Sequence, residues 1–352
     1  MTDPARPNSP LSQGDSPGDS PGDRDAAAGG PLILGPAATR AALDPLRVME
    51  AVERALIAIS EDTVSAPPRI AAHGPHGLLG AMPAYVPGLG LAAKLVTVFP
   101  DPERPGRSGH RGVVALFDER RGHLTALVDA EPLTAVRTAA AATAAMRVLA
   151  RPDARRIAIV GTGAQAAAQL ALLAATGRGP RAGASAGRGT PADGPAGAEV
   201  VVAGRDPGRA RALAASCPGA LTAPIEDAVR GADVVFCCTG AHRPVVEAAW
   251  LAPGTHVSSV GGSEGPELDA GTVRAGALFT EWRGAVTAAP PAGAHELQGL
   301  PPERAVLIGD VLSGRHPGRR HPHEITVFKS TGHAALDVAA AHVVLTAPPP
   351  PR

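Results

Sequence analysis

The chain has 352 residues, equal numbers of basic and acidic side chains and only 19% charged positions, so bulk electrostatics offer no hold on nucleic acid or an anionic membrane. No apolar run approaches the ~20 residues that span a bilayer, and the N-terminus lacks the basic-then-apolar layout of a signal peptide, which points to a soluble protein of the cytoplasm. The length suits about two domains, and with aromatics at 2% their cores must be built from Ala, Val, Leu and Ile, on Ala-faced helices.

Residues 1–30 are Pro, Gly, Ser and Asp with almost no large apolar side chain, and read as a disordered tail because they bury too little to offset chain entropy. Residues 31–133 have a mixed texture: a helix near 46–60, then strands over 91–99, 112–117 and 124–128 joined by charged or Pro-rich turns. Strand and helix patterns then alternate over 134–288. Arg155, Arg156, Ile157, Ala158, Ile159 and Val160 read as a buried strand running into Gly161, Thr162, Gly163, Ala164, Gln165 and Ala166, the phosphate-binding corner of a dinucleotide fold. Gly161 permits the tight turn, Gly163 lets the backbone approach a diphosphate, and Ala166 allows close helix–strand packing. The following helix offers unpaired N–H groups to an anion.

Residues 177–197 form a Gly/Ala/Pro excursion longer than a βαβ unit needs, expected to be a flexible surface insertion. Beyond it the pattern gives a strand over 199–203, a helix over 207–216 and a short helix over 225–231. Next come strands from Asp233 and over 256–262, a helix starting near Glu267 and a strand over 277–280. Such alternation means an α/β fold, a Rossmann-type doubly wound parallel sheet. Residues 289–346, with a strand over 325–328 and a helix from His333, are expected to return and complete the first domain, leaving a cleft between the two. The proline-rich residues 347–352 form a second tail.

Cys237 and Cys238 sit in an apolar strand pattern and Cys217 stands alone, so neither a disulfide framework nor a metal spacing is present. His316, His321 and His323 lie in a Gly/Pro/Arg turn without helical spacing or acidic partners, and no metal is expected there.

Six blocks in order carry a resemblance: Gly77 to Tyr85 with Met82-Pro83; the strand through Lys94, Leu95, Val96 and Thr97; Leu133, Thr134, Ala135, Val136, Arg137 and Thr138; the Gly161 turn; Glu267-Leu268-Asp269; and Val327, Phe328, Lys329, Ser330, Thr331 and Gly332 followed by Asp337. Together they resemble the ornithine cyclodeaminase/mu-crystallin family. The resemblance implies a Rossmann domain plus a mixed α/β domain that binds substrate and forms a homodimer, with chemistry on the imines of amino acids. It also implies that Arg69 and Lys94 hold the substrate carboxylate. A planar guanidinium grips a carboxylate at two points and so orients the C=N carbon. Read without the resemblance, Lys94 is a strand-end lysine in an otherwise apolar strand, and Arg69 a charge beside two prolines. Arg137 and Thr138 match a pair at the start of a helix where donors meet the cofactor diphosphate; otherwise they are a surface arginine and a capping threonine. Thr239, Ser330 and His110 match further cofactor-lining positions, beside Gly161, Gly163, Ala164 and Gln165 of the turn.

Two departures from the cyclodeaminase branch stand out. Ser263 follows Gly261-Gly262 where that branch has a catalytic Asp, in a shortened loop to Glu267, and Gly80-Ala81 replace an acidic residue before Met82-Pro83. A serine hydroxyl stays protonated at neutral pH and is no equivalent base; Glu264 is the candidate substitute. Both changes resemble the mu-crystallin side, whose members are ketimine reductases. At the end of the second strand Ala203-Gly204-Arg205-Asp206 lacks an acid at the tip and supplies Arg205, which favours NADP over NAD, whereas Asp206 either opposes a 2′-phosphate or caps the next helix. The expected function is therefore an NAD(P)H-dependent imine reductase or amino-acid dehydrogenase with a small imino or amino acid substrate. Ornithine cyclodeamination and a non-catalytic NADPH-dependent binding protein are the alternatives.

Overall fold

The computed structural model describes residues 30–100, 108–177 and 197–347. The two expected tails and the insertion at 177–197 lie outside the described residues except at their ends, as does the side chain of His110. The first half runs β1 (Leu32–Leu34), α1 (Pro36–Ala42), α2 (Pro45–Ser60), β2 (Ile70–Gly74), β3 (Gly77–Val86), β4 (Gly90–Pro100), β5 (Ser108–Phe117) and β6 (Leu124–Asp129). These strands form one sheet in the order β1-β6-β5-β4-β3-β2, antiparallel except for the β1–β6 pair. Sequence patterning had marked only β4, β5 and β6, because β2 is exposed throughout and β3 is broken by Gly80 and Pro83. On β4, Ala92 and Lys94 are buried while Leu91 and Leu95 are exposed, the period-two alternation of a sheet with one covered face. Part of the same core is α2, started by Asp44, whose carboxylate accepts from the Leu46 and Arg47 N–H groups.

After α3 (Ala130–Leu149) the chain forms β7 (Arg156–Val160), α4 (Ala164–Ala175), β8 (Glu199–Ala203), α5 (Pro207–Ala215), β9 (Leu221–Thr222), α6 (Ile225–Arg230), β10 (Val234–Cys237), β11 (His256–Ser259), α7 (Ala270–Ala275), β12 (Ala277–Thr280), α8 (Gly284–Thr287), β13 (Ala305–Leu307), α9 (Ile308–Leu312), β14 (Thr326–Lys329) and α10 (Ala334–Leu345). All eight strands are parallel, in the order β13-β12-β14-β11-β10-β7-β8-β9. The connections leave β7 and β10 in opposite directions, the switch point at which open α/β sheets hold ligands beyond the carboxyl ends of their strands.

One expectation is overturned. The strand over 325–328 does not complete the first sheet; β14 lies in the parallel sheet between β11 and β12. Its four residues are buried on both faces, which only a central parallel strand provides. Of the return segment, α9 packs on α2 and α10 crosses back onto α2, β3 and β4. With α3 it lies between the sheets: residues 137–146 of α3 are all buried, and small side chains let α2, α4 and α10 approach it on different sides. From Leu32 onward the chain is one compact unit.

Two boundaries also move. α3 begins at Ala130, capped by Asp129, so Arg137 and Thr138 lie two turns inside the helix and Thr138 caps nothing. α7 begins at Ala270, capped by Asp269, which leaves Glu267 in the preceding loop.

Candidate active site

The glycine elbow has the geometry its residues imply. Gly161 adopts φ +134°, and a Cβ there would meet the Cys238 carbonyl oxygen at 2.4 Å, so β7 can turn against the end of β10 only with glycine. Gly163 caps α4, and nothing lies within 4 Å of where its Cβ would stand. Ala166 is fully buried where α4 meets β7, and Ala164 is exposed in the first turn. Beside it the Gln165 Oε1 is buried without a partner among the described residues. An open cradle at a helix N-terminus, with its unpaired backbone N–H groups, fits a dinucleotide diphosphate.

At the tip of β8, a Cβ on Gly204 would meet the Thr162 methyl at 2.7 Å, so an acidic side chain that would read a ribose could stand there only if Thr162 moved. Arg205 is exposed. Asp206 is spent as the α5 cap, accepting from Gly208 N at 2.8 Å and Arg209 N at 3.2 Å.

A charged cluster forms between the two sheets. Asp337 lies inside α10 among Ala and Val, nearly fully buried, and a carboxylate there must be paired. Lys94 points inward from β4 and places Nζ 2.8 Å from Asp337 Oδ2, while Arg137 from α3 places Nε 3.0 Å from Oδ1. Burial would raise the Asp337 pKa, but Lys94 and Arg137 together hold it below the usual carboxylate value. Burial lowers the Lys94 pKa, against the pull of Asp337 and with help from Arg137 and Arg69.

Arg69, just before β2, donates to the Gly332 carbonyl at 2.8 Å and to that of Thr331 at 3.4 Å, tying the first sheet to the turn after β14. Burial and then Arg137 lower its pKa. Glu281, fully buried at the end of β12, accepts the N–H groups of Thr331 and Gly332 from below. Arg69 and Lys94 thus converge, and Arg137 joins them.

A second cluster underlies the loop after β11. Lys329 Nζ donates to Ser259 Oγ at 2.8 Å, to the Gly261 carbonyl at 2.9 Å and to Glu296 Oε1 at 3.0 Å. Glu267, fully buried, accepts from Thr239 N, Thr239 Oγ1, Ser259 Oγ and Gly261 N at 2.7 to 2.9 Å. The expected cofactor residue Thr239 therefore spends its hydroxyl proton on Glu267. Above this brace a cavity of about 90 Å³ is lined by Gly261, Gly262, Ser263, Pro291, Ser330 and Thr331, among others. Ser330, expected to line the cofactor, is part of this cavity wall. Thr138 is buried, with no side-chain hydrogen bond among the described residues.

Glu264 does not join the cations. Its carboxylate lies 3.2 Å from His242 Nε2, across the neighbouring loop. His316 accepts the Gly318 N–H and edges onto Phe279, and His321 lines an open depression with Arg151 and Arg319, apart from both clusters. Among the described residues no group of His, Cys, Asp or Glu side chains is placed to hold a metal.

Asp337, Glu267, Glu281, Glu296 and Lys329 were not singled out as site residues by the sequence. The signal that raised Lys94, a charge within an apolar strand, was equally present for Lys329 after Val327-Phe328.

The sequence profile of the ornithine cyclodeaminase/mu-crystallin family matches residues 37–177 and 199–347. The chain belongs to the ornithine cyclodeaminase/mu-crystallin family. Ketimine reductase mu-crystallin of Mus musculus is 31% identical over 274 residues, covering 76% of this chain and 80% of that protein. Delta(1)-pyrroline-2-carboxylate reductase of Paracoccus denitrificans (strain Pd 1222) is 31% identical over 287 residues, covering 77% and 83%. Among solved structures, Thermococcus litoralis Delta(1)-pyrroline-2-carboxylate reductase in complex with NADH and L-proline superposes with a TM-score of 0.75 at 26% identity, over 89% of this chain and 96% of that one. Within the family fold, the parallel sheet carries the elbow, and the cation cluster lies where α3 and α10 bridge the sheets.

Proposed function

We propose that this protein is an NAD(P)H-dependent oxidoreductase that reduces the C=N bond of a small α-imino acid, a ketimine reductase or amino-acid dehydrogenase. The observation that carries the reading is the convergence of Arg69, Lys94 and Arg137, three cations against Asp337 and Glu281, beside the Thr331–Gly332 turn. The excess positive charge suits one carboxylate, and the similarity to reductases of cyclic imino acids agrees with it. The elbow at Gly161 and Gly163 would hold the diphosphate, with Gln165 beside it and the loop above Lys329 at the ring end. A bound nicotinamide supplies the hydride.

In this reading Arg69 and Arg137 orient the substrate carboxylate. Lys94, whose pKa burial depresses, gives a proton to the substrate nitrogen, and Asp337 aims its ammonium. Cyclodeamination is disfavoured because Ser263 is no base and Glu264 is bonded to His242. NADP is preferred over NAD because Arg205 is exposed at the β8 tip while the Asp206 carboxylate is spent on its cap.

We read the two sheets as substrate and nucleotide domains, and the active form as a homodimer. Leu79, Tyr85, Leu91, Leu95 and Phe99 share one outward face of the first sheet and are all exposed, an apolar patch suited to a second copy. Its work is placed in the reducing cytoplasm, where the three free buried cysteines stay unpaired.

The test is loss of reduced-nicotinamide absorbance when purified protein meets a cyclic ketimine carboxylate with NADPH or NADH. The expected outcome is turnover with an NADPH preference that falls roughly tenfold in Arg205→Ala, the worth of about one charge-assisted hydrogen bond. No turnover across a panel of imino acids removes the reading, and ammonia release from ornithine without net cofactor consumption replaces it with the cyclodeaminase.

A further inference from the structure

His333 caps α10 with its own ring. Nδ1 accepts the Ala335 N–H at 3.2 Å, so that nitrogen is unprotonated and the proton of the neutral imidazole sits on Nε2. The ring is neutral because burial lowers its pKa to about 4, against Asp337 and with Arg69 and Arg137 adding to the fall. Those three groups belong to the cation cluster, so the imidazole stands beside it. Among the described residues, Nε2 has no hydrogen-bond partner.

Its other neighbour is Trp282, with ring centroids 5.4 Å apart and planes tilted by 54°. The indole Nε1–H is spent on Thr331 Oγ1 at 3.0 Å, one residue from the carbonyl that holds Arg69 most closely. Gly284 keeps the indole in place, since a Cβ there would come within 2.1 Å of the ring. Beside the cations, then, stands a wall with an aromatic face, one neutral donor and no charge of its own.

The charges around that wall are net positive. Asp337 is paired with Lys94 and Arg137, and Glu281 accepts two backbone N–H groups. Glu281 Oε2 is left without a partner among the described residues, but three cations against two carboxylates leave a net positive charge, which a second ammonium on the substrate would meet. An uncharged oxygen would meet the unspent Nε2–H of His333.

We propose that Trp282 and His333 receive the substrate side chain, the Nε2–H of His333 donating to an uncharged acceptor on it, so that α-imino acids carrying a hydroxyl, ether or carbonyl oxygen are preferred over plain alkyl or cationic ones. This rests on the imine-reductase reading and names the substrate class of that site. His333 acts as a specificity-determining contact whose loss shows in the ratio between two substrates, which a merely structural role would leave alone.

The experiment uses the full chain with NADPH and imines formed in situ from methylamine and either pyruvate or 3-hydroxypyruvate. Two variants separate the roles of the ring: His333→Phe keeps the aromatic contact without an N–H, and His333→Ser keeps a helix cap without the reach. The expected result is a wild-type kcat/KM favouring the hydroxylated imine, with that preference reduced roughly tenfold in both variants, the value of one hydrogen bond, and NADPH affinity unchanged. Equal losses on both substrates, an unaltered ratio, or a wild type that prefers the plain imine overturns this inference alone. A wild type that reduces no imine at all overturns the parent reading and this inference with it.

Discussion

Two buried charge clusters hang on one stretch of chain, Lys329 to Gly332, and they are composed oppositely. Around Asp337 three cations face two carboxylates, and Arg69 donates through a single Nη to neutral carbonyls. Around Lys329 a single cation faces Glu267 and Glu296, with all three ammonium protons and every Glu267 lone-pair direction toward the loop engaged. In the proposed reading the same residue types make a site in one place and a brace in the other. What separates them is unspent charge and donor capacity: the first cluster can still take an anion, and the second can only hold the Gly261 backbone where it is.

The sharpest way to test that contrast is Lys94→Met. If Lys94 is the proton donor, kcat falls by about 10² to 10⁴ while NADPH binding, followed by fluorescence, survives. The added change Asp337→Asn should recover stability but not turnover, since it removes the uncompensated carboxylate without restoring a donor. Lys329→Met should do the reverse. Breaking a buried pair costs about 3–5 kcal/mol, read as a lowered denaturant midpoint, while the imino acid KM of the remaining folded enzyme stays near wild type. A stable Lys329→Met with a raised KM would move the second cluster into the binding machinery.

Arg69→Met tests the first cluster more gently. Losing one charged hydrogen-bonding partner of a carboxylate is worth about 1.5–3 kcal/mol, so the imino acid KM should rise roughly 10- to 150-fold with the cofactor KM unchanged. The smallest effect concerns His256, a control at the opposite end of β11. It is fully buried between Thr326 Oγ1 at 3.0 Å and Ser258 Oγ at 2.9 Å, and burial lowers its pKa to about 3. The unfolded chain takes up this proton near pH 6.5 and the folded chain does not. Its stabilising share is therefore complete above that pH and is lost as pH falls toward 3, about 2 kcal/mol between pH 6.5 and 5. His256→Asn should flatten that part of the stability profile, leaving substrate preference untouched.

Much of the fold was legible because its signals are local. The run Ile157 to Val160 into Gly161-Thr162-Gly163 announces strand, turn and helix within one window, and the strands at 199–203 and 277–280 are found within a residue of expectation. β14 was expected with the first domain because a four-residue apolar strand looks the same in either sheet; only burial on both faces distinguishes them. Within the site, Arg69 and Lys94 came from the resemblance and they do converge. Glu264 was proposed from adjacency to Ser263, and the chain turns it outward to His242.

By itself, the sequence determined the elbow, the absence of an acid at the β8 tip and the presence of charges in apolar segments, because each depends on neighbours a few residues away. The tertiary structure decided which charges meet. Lys94, Arg137 and Asp337 come from a strand and two helices far apart in the chain, and only packing of α3 and α10 between the sheets brings them within 3.0 Å. A buried charge needs a partner, but nothing local specifies which one; desolvation sets the demand, and the fold chooses the supplier.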